Sequence, residues 1–251
     1  MALTWRGRRQ VLYYAVGGFV AFVLLAVLWV SFFSDRPTCF DGIINGTETG
    51  VDCGGACAAL CPADTRPPVV LWNRPFQTGG NTYSAVAYIE NRNVGALARD
   101  VRYSFKLYDE RGVLVVERLG TTDLAPAALV PIVETGIDVG NRIAVTSEFR
   151  FADEWLRWER NTEELPVLRA TQQNLAADGS RLTATIVNDS IFEARNVSVV
   201  AVLFDGAGVA RAASKSILPR IERQSSEPVI FTWPNGVQNI VRAEISTLPS
   251  L

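Results

Sequence analysis

Two patterns of apolar residues divide the chain. From Val11 to Phe33, 23 residues run without a charge. At about 1.5 Å rise per residue such a helix is roughly 35 Å long, enough to cross a hydrocarbon core of about 30 Å. The pattern therefore predicts a single transmembrane helix over 11–33, with Trp5, Tyr13, Tyr14 and Trp29 towards its two ends, where amphipathic rings favour the headgroup level. Arg6, Arg8 and Arg9 precede the run and Asp35 follows it. Cationic flanks stay inside, which makes residues 1–10 a cytoplasmic tail and puts the bulk of the chain outside. A cleaved signal peptide is the alternative. The run exceeds the roughly 7–15 residues of a signal core, and Val30-Ser31-Phe32-Phe33 offers no A-x-A-like pair of small residues.

From Val69 onward the period drops to two. Val101, Tyr103, Phe105 and Leu107 alternate with Arg102, Ser104, Lys106 and Tyr108, giving a strand with one apolar and one wet face. Asp109-Glu110-Arg111-Gly112 reads as a hairpin turn before Val113-Leu114-Val115-Val116. The same text returns 96 positions later: Ala98-Arg99-Asp100-Val101 as Ala194-Arg195-Asn196-Val197, Leu107-Tyr108-Asp109 as Leu203-Phe204-Asp205, and Gly112-Val113 as Gly208-Val209. Seven of sixteen aligned positions are identical. With one residue of slip, Ile89, Asn91 and Pro131 align with Ile186, Asn188 and Pro228. A period this long is a whole domain, so the expected class is mainly β: the membrane helix, a short stalk over 34–65, and two tandem immunoglobulin-like or fibronectin-like β-sandwiches over 66–160 and 161–251. In the second copy Val200, Val202 and Phe204 make the formerly wet face apolar, a surface suited to the sister domain or a partner. Trp155 and Trp158 sit three apart, the spacing of one helical face, and are expected to wedge between the domains. Asp109 and Asp205 are expected to cap turns.

Composition narrows the function. With 48% apolar and 20% charged residues the chain is globular, and a net charge of -2 excludes a strongly basic nucleic-acid binder. Setting the three N-terminal arginines aside leaves 21 cationic against 26 acidic residues. Histidine is absent, which removes Ser-His-Asp and Cys-His catalysis and His-liganded metals. No G-x-S-x-G, S-x-x-K, P-loop or dinucleotide fingerprint is present.

All four cysteines, Cys39, Cys53, Cys57 and Cys61, fall just beyond the helix. An even count in an extracytoplasmic stretch reads as two disulfides, with three pairings open. Between them Asp41, Asn45, Glu48 and Asp52 are spaced through a glycine-rich loop. Calcium takes about six to eight oxygens of this kind, and these four residues are the candidate calcium ligands, although the spacing is not that of an EF-hand. Asp-Gly and Asn-Gly are equally turn formers, and that reading stands beside the first. Asn45, Asn188 and Asn196 sit in N-x-[ST] sequons.

Residues 39–61 resemble the C-x-D-G-x-x-N-G-x-E-x-x-x-D-C-G-G-x-C-x-x-C elements of bacterial surface proteins, with Cys57 and Cys61 one residue further apart. Phe105-Lys106-Leu107-Tyr108-Asp109 resembles the signature of bacterial FxLYD-type β-sandwich domains, and the second copy departs from it at Ala201 and Phe204. These resemblances imply an extracytoplasmic β-sandwich protein. The expected function is that of a non-enzymatic interaction or scaffold protein, anchored by one helix in the plasma membrane and meeting a protein or glycan partner. Calcium-dependent adhesion or sensing is one alternative, and a glycoside hydrolase working through a carboxylate pair is the other.

Overall fold

The computed structural model describes residues 5–33 and 37–250. Asp35, the acidic end of the charge pattern, lies outside them. The N-terminal helix α1 covers Trp5–Phe33, beginning before the apolar run, because helical backbone continues through the arginine-rich segment. Its stretch Arg9–Ser31 is long and apolar enough to cross a membrane, and none of it is buried against the rest of the chain. A helix of this kind is a membrane anchor or a signal sequence, not part of a soluble core.

The first β domain comprises β1 (Val69–Gly79), β2 (Thr82–Glu90), β3 (Ala96–Tyr108), β4 (Leu114–Leu124), β5 (Leu129–Asp138), β6 (Thr146–Phe151) and the two-residue β7 (Glu159–Arg160). The second comprises β8 (Leu168–Leu175), β9 (Arg181–Asn188), β10 (Ala194–Asp205), β11 (Ala210–Ile221), β12 (Ser225–Thr232) and β13 (Ile240–Leu248). The sheets of the first domain run β1-β2-β5 and β4-β3-β6, with β7 added to the start of β3; those of the second run β8-β9-β12 and β11-β10-β13. The two orders correspond strand for strand, and all the pairings are antiparallel.

Each pair of sheets closes on its own core. Phe105, Leu107, Leu124 and Ile137 fill the first, and Leu182, Ile186, Leu203 and Phe231 the second. In β3, Val101, Tyr103, Phe105 and Leu107 are buried and their neighbours are partly or fully exposed, as period-two alternation requires. The repeated Ala-Arg-Asp/Asn-Val text has a local cause. Asp100 and Asn196 both occupy the left-handed region, at φ 51° and 46°, and at Asp100 the ladder with β4 shifts register between Ala98 and Val101. Asp and Asn tolerate that conformation better than other side chains, and the flanking Ala and Val turn into the core.

In β10 both faces are buried. Val200, Val202 and Phe204, with Ala210 and Ala213 of β11, pack on Phe76, Val86, Tyr88 and Val133 of the first domain. Trp72 stacks on Tyr88 with ring centroids 4.5 Å apart, and both meet Phe204 edge-on at 6.5 Å. The tryptophan wedge expected at the junction is corrected. Residues 152–158 form no helix, Trp155 is 71% exposed, and Trp158 is buried in the first core. Helical spacing carried no information there, because the segment returns to the sheet as β7. The junction is instead made by the apolar outer face of β10.

Candidate functional site

The cysteine loop is cross-linked Cys39 to Cys57 and Cys53 to Cys61. Its carboxylates are aimed at backbone amides. Asp52 accepts from the N–H groups of Asp41 and Gly42 at 2.9 and 3.1 Å, tying residues 41–42 to the end of the loop. Asp41 accepts from the backbone N–H groups of Ile43 and Thr38 and from Asn45 Nδ2 at 2.8 Å. The Asn45 bond, with the amides of Thr38 and Ile43, holds the Asp41 carboxyl below its usual range. Glu48 accepts from the backbone N–H of Asn45 at 3.2 Å, closing a turn.

Asn45 thus presents its N–H end to Asp41, whereas a shared cation would need its oxygen, and Asn45 Oδ1 is buried without a partner. Among the described residues, the one trio of Cys, Asp or Glu ligand atoms within 4.8 Å of one another is Cys39, Glu48 and Cys57, not the acidic set. Both sulfurs of that trio are locked in a disulfide, and metals bind the thiolate. The geometry gives Asp41, Glu48 and Asp52 the work of organising turns.

The far side of the loop docks on the first sandwich. Leu60 donates its N–H to the Trp158 carbonyl at 2.9 Å and Arg160 to that of Ala58 at 2.8 Å, while the Arg160 guanidinium reaches the Gly55 carbonyl. Ala59 and Glu159 form an antiparallel bridge, so the loop adds a short strand beside β7. Leu60 packs against the first core, and Asn93 exchanges two hydrogen bonds with the Arg66 backbone. A stalk that stands apart from the sandwiches is not what forms.

A second candidate is a cleft of about 500 Å³ between the sandwiches. Asp100, Tyr103 and Asp123 line it from the first domain, Asn196 and Lys215 from the second, and Leu165, Pro166 and Val167 of the linker close one wall. The two left-handed positions, Asp100 and Asn196, therefore line one space. Asp123 accepts from the Asp100 N–H at 2.9 Å. The Tyr103 hydroxyl donates to Glu134 at 2.6 Å, and burial, with the adjacent carboxylate, pushes that phenol well above its ordinary value. It stays protonated and serves as a donor. Beside the cleft, Tyr88 of β2 donates to Glu244 of β13 at 3.0 Å, and Arg242 lies over the Phe204 ring at 4.3 Å.

The turn residues behave alike in the two domains. Asp109 accepts from the N–H groups of Arg111 and Val113 and pairs with Arg142; Asp205 accepts from those of Ala207 and Val209 and pairs with Arg211. The Arg142 bond lowers the Asp109 carboxyl, and the Val209 amide lowers that of Asp205. A carboxyl depressed on folding stabilises fully above its unfolded value, near pH 4, and that stability disappears as pH falls through the lower folded value. D109N/D205N is therefore expected to be less stable than the parent at neutral pH and to lose less stability between about pH 4 and pH 2. Equal acid slopes in urea melts would remove the two aspartates from the acid response.

The sequence reading missed Asn91 and Asn188 as structural residues. Both are buried, and Asn188 Nδ2 donates to the carbonyls of Phe192, Ile221 and Glu222. A sequon on a fully enclosed amide is not a glycan acceptor in the folded protein. The available signal was an Asn at or just past the end of the corresponding strand in both copies.

Neither a family model nor a curated protein matches the chain. Among solved structures it is similar to a red sea bream transglutaminase, at 6% identity and a TM-score of 0.22 over 72% of this chain and 29% of that one. It is also similar to an exo-chitosanase of Amycolatopsis orientalis, at 14% identity and a TM-score of 0.18 over 66% of this chain and 25% of that one. The chain thus spans less than a third of either protein, and likenesses this weak carry no argument about activity.

Proposed function

We propose that this is a membrane-anchored binding protein whose paired sandwiches are presented outside the cell as one stiff unit and engage a protein or glycan through the cleft between them. The observation that carries the reading is the continuous packing from the cysteine loop through the first sandwich to the second. The cysteine loop is bonded to β7, β7 to β3, and the outer face of the first domain to β10. A protein that only needed a tether would gain nothing from burying Tyr88, Phe204 and their neighbours between its domains. A binding platform needs that rigidity, because a cleft formed by two domains exists only while they hold one pose. The disulfides and the three N-terminal arginines support an orientation with the sandwiches in an oxidising exterior. The F-x-L-Y-D run and the cysteine element of surface proteins point the same way.

The test is photo-crosslinking in intact cells from a probe at Lys215, inside the cleft, and from one at Ile230, exposed on β12. A discrete crosslinked species is expected from position 215 and not from 230. Equal crosslinking from the two positions, or none from the cleft, would overturn it, and protection of the sandwiches from protease added outside would overturn the orientation.

A further inference from the structure

The cysteine loop has two sides, and one is bare. Phe40, Ile43, Ile44 and Val51 are 90%, 60%, 62% and 54% exposed. They are not scattered, because the Asp52 carboxylate holds the amides of Asp41 and Gly42, bringing residues 40–44 against residues 51–52. The carboxylates of Asp41, Glu48 and Asp52 are engaged by backbone amides, and Asp41 stays exposed beside the apolar side chains. The opposite side, through Gly55, Ala58 and Leu60, is committed to the first sandwich.

Chain length limits where the bare side can lie. Only three residues lie between Phe33, the last of α1, and Pro37, four steps with a reach of at most about 14 Å at roughly 3.5 Å per step. Pro37 in turn lies against Gly46, where an added Cβ would sit 3.1 Å from the proline Cβ. The chain thus leaves the bilayer and meets the loop two residues from Ile44. The headgroup layer on each side of a bilayer is itself about 5–8 Å deep.

We propose that Phe40, Ile43, Ile44 and Val51 dip into the headgroup region of the membrane that α1 crosses, making the disulfide loop a second point of membrane contact. This rests on the anchor reading given above. An exposed apolar patch of this kind is costly in water and is accommodated at the lipid boundary, where apolar side chains partition from rigid loops as they do from amphipathic helices. A single helix lets an attached domain swivel. Two contacts, one of them bonded to β7 through Leu60 and Arg160, fix the tilt of both sandwiches relative to the bilayer.

The test uses the full chain in vesicles of phosphatidylcholine alone, with a nitroxide on a ketone-bearing amino acid so that no extra thiol is introduced. Labels are placed singly at Phe22, mid-helix, at Ile44, and at Val113, in the exposed turn after β3. β3 is 13 residues long, so this turn is about 40 Å from the end of β3 that the loop braces. Intact disulfides are verified by mass for each protein. The ratio of collision with oxygen to collision with a water-soluble nickel complex is expected to be several-fold higher at Ile44 than at Val113, and highest at Phe22. If Phe22 lies in hydrocarbon while Ile44 matches Val113, the second contact is overturned and the anchor stands. A water-accessible Phe22 would overturn both.

Discussion

Asn188→Ala is expected to cost the second sandwich about 3–5 kcal/mol, a large share of what a domain of this size has. The side chain is enclosed, and its Nδ2 serves the carbonyls of Phe192, Ile221 and Glu222 at 2.7, 3.3 and 3.1 Å. Its Oδ1 takes the Ser190 N–H at 3.1 Å. Each buried polar group left without a partner costs roughly 1–3 kcal/mol, and domain stabilities lie near 5–15 kcal/mol. The three carbonyls belong to two crossings between the sheets, the loop from β9 to β10 and the end of β11, so alanine removes the tie between them. Asn188→Asp would do no better, since it donates nothing. The measurement is a urea melt of the full chain followed by Trp233, which is buried in the second core. The exposed Arg223→Ala serves as control, and equal midpoints for the two variants would show the amide to be dispensable. Asn91 holds the carbonyls of Ala96 and Ala125 in the first sandwich at 3.0 and 2.8 Å, and its replacement is expected to act there in the same way.

The parts of this architecture that were legible in the sequence are those set by local rules. Hydrophobic period gave α1 and the strands, because a 23-residue uncharged run and the alternation of Val101 to Leu107 each have one economical solution. The Asp109 and Asp205 turns followed from Asx chemistry, and the apolar outer face of β10 announced a partner surface that proved to be the sister domain. What was not legible depends on contacts far apart in the chain. The pairing of Cys39 with Cys57 follows from how the loop lies, which spacing does not encode. Trp158 entered the first core because Glu159 and Arg160 pair with Leu97 and Ala96, a nonlocal bond that overrides the apparent helical spacing to Trp155. The cleft is assembled from two domains, so neither copy of the repeat contains it.

Reduction of the two disulfides is expected to loosen the first sandwich as well as the loop, and to leave the second unaffected. Cysteine positions alone suggest otherwise, since neither sandwich contains one and a stalk that merely spaces them would open without consequence. The structure couples them. The cross-links close segments with sequence separations of 18 and 8, each worth about 2–4 kcal/mol by restricting the unfolded chain. That stabilisation holds Ala58, Ala59 and Leu60 in place against Trp158 to Arg160. Without it, β7 is a two-residue strand on the end of β3, too short to hold Trp158 in the core unaided. Hydrogen exchange of the full chain, compared before and after reduction and in the variant with all four cysteines changed to serine, separates the possibilities. Faster exchange is expected at residues 53–61, at Trp158 to Arg160 and at the start of β3, with β9 to β12 unchanged. Unaltered exchange at Trp158 to Arg160 after complete reduction would show that the loop rests on the sandwich without bracing it. Loss of protection in β9 to β12 would show instead that the brace extends through the β10 interface to the whole outer region.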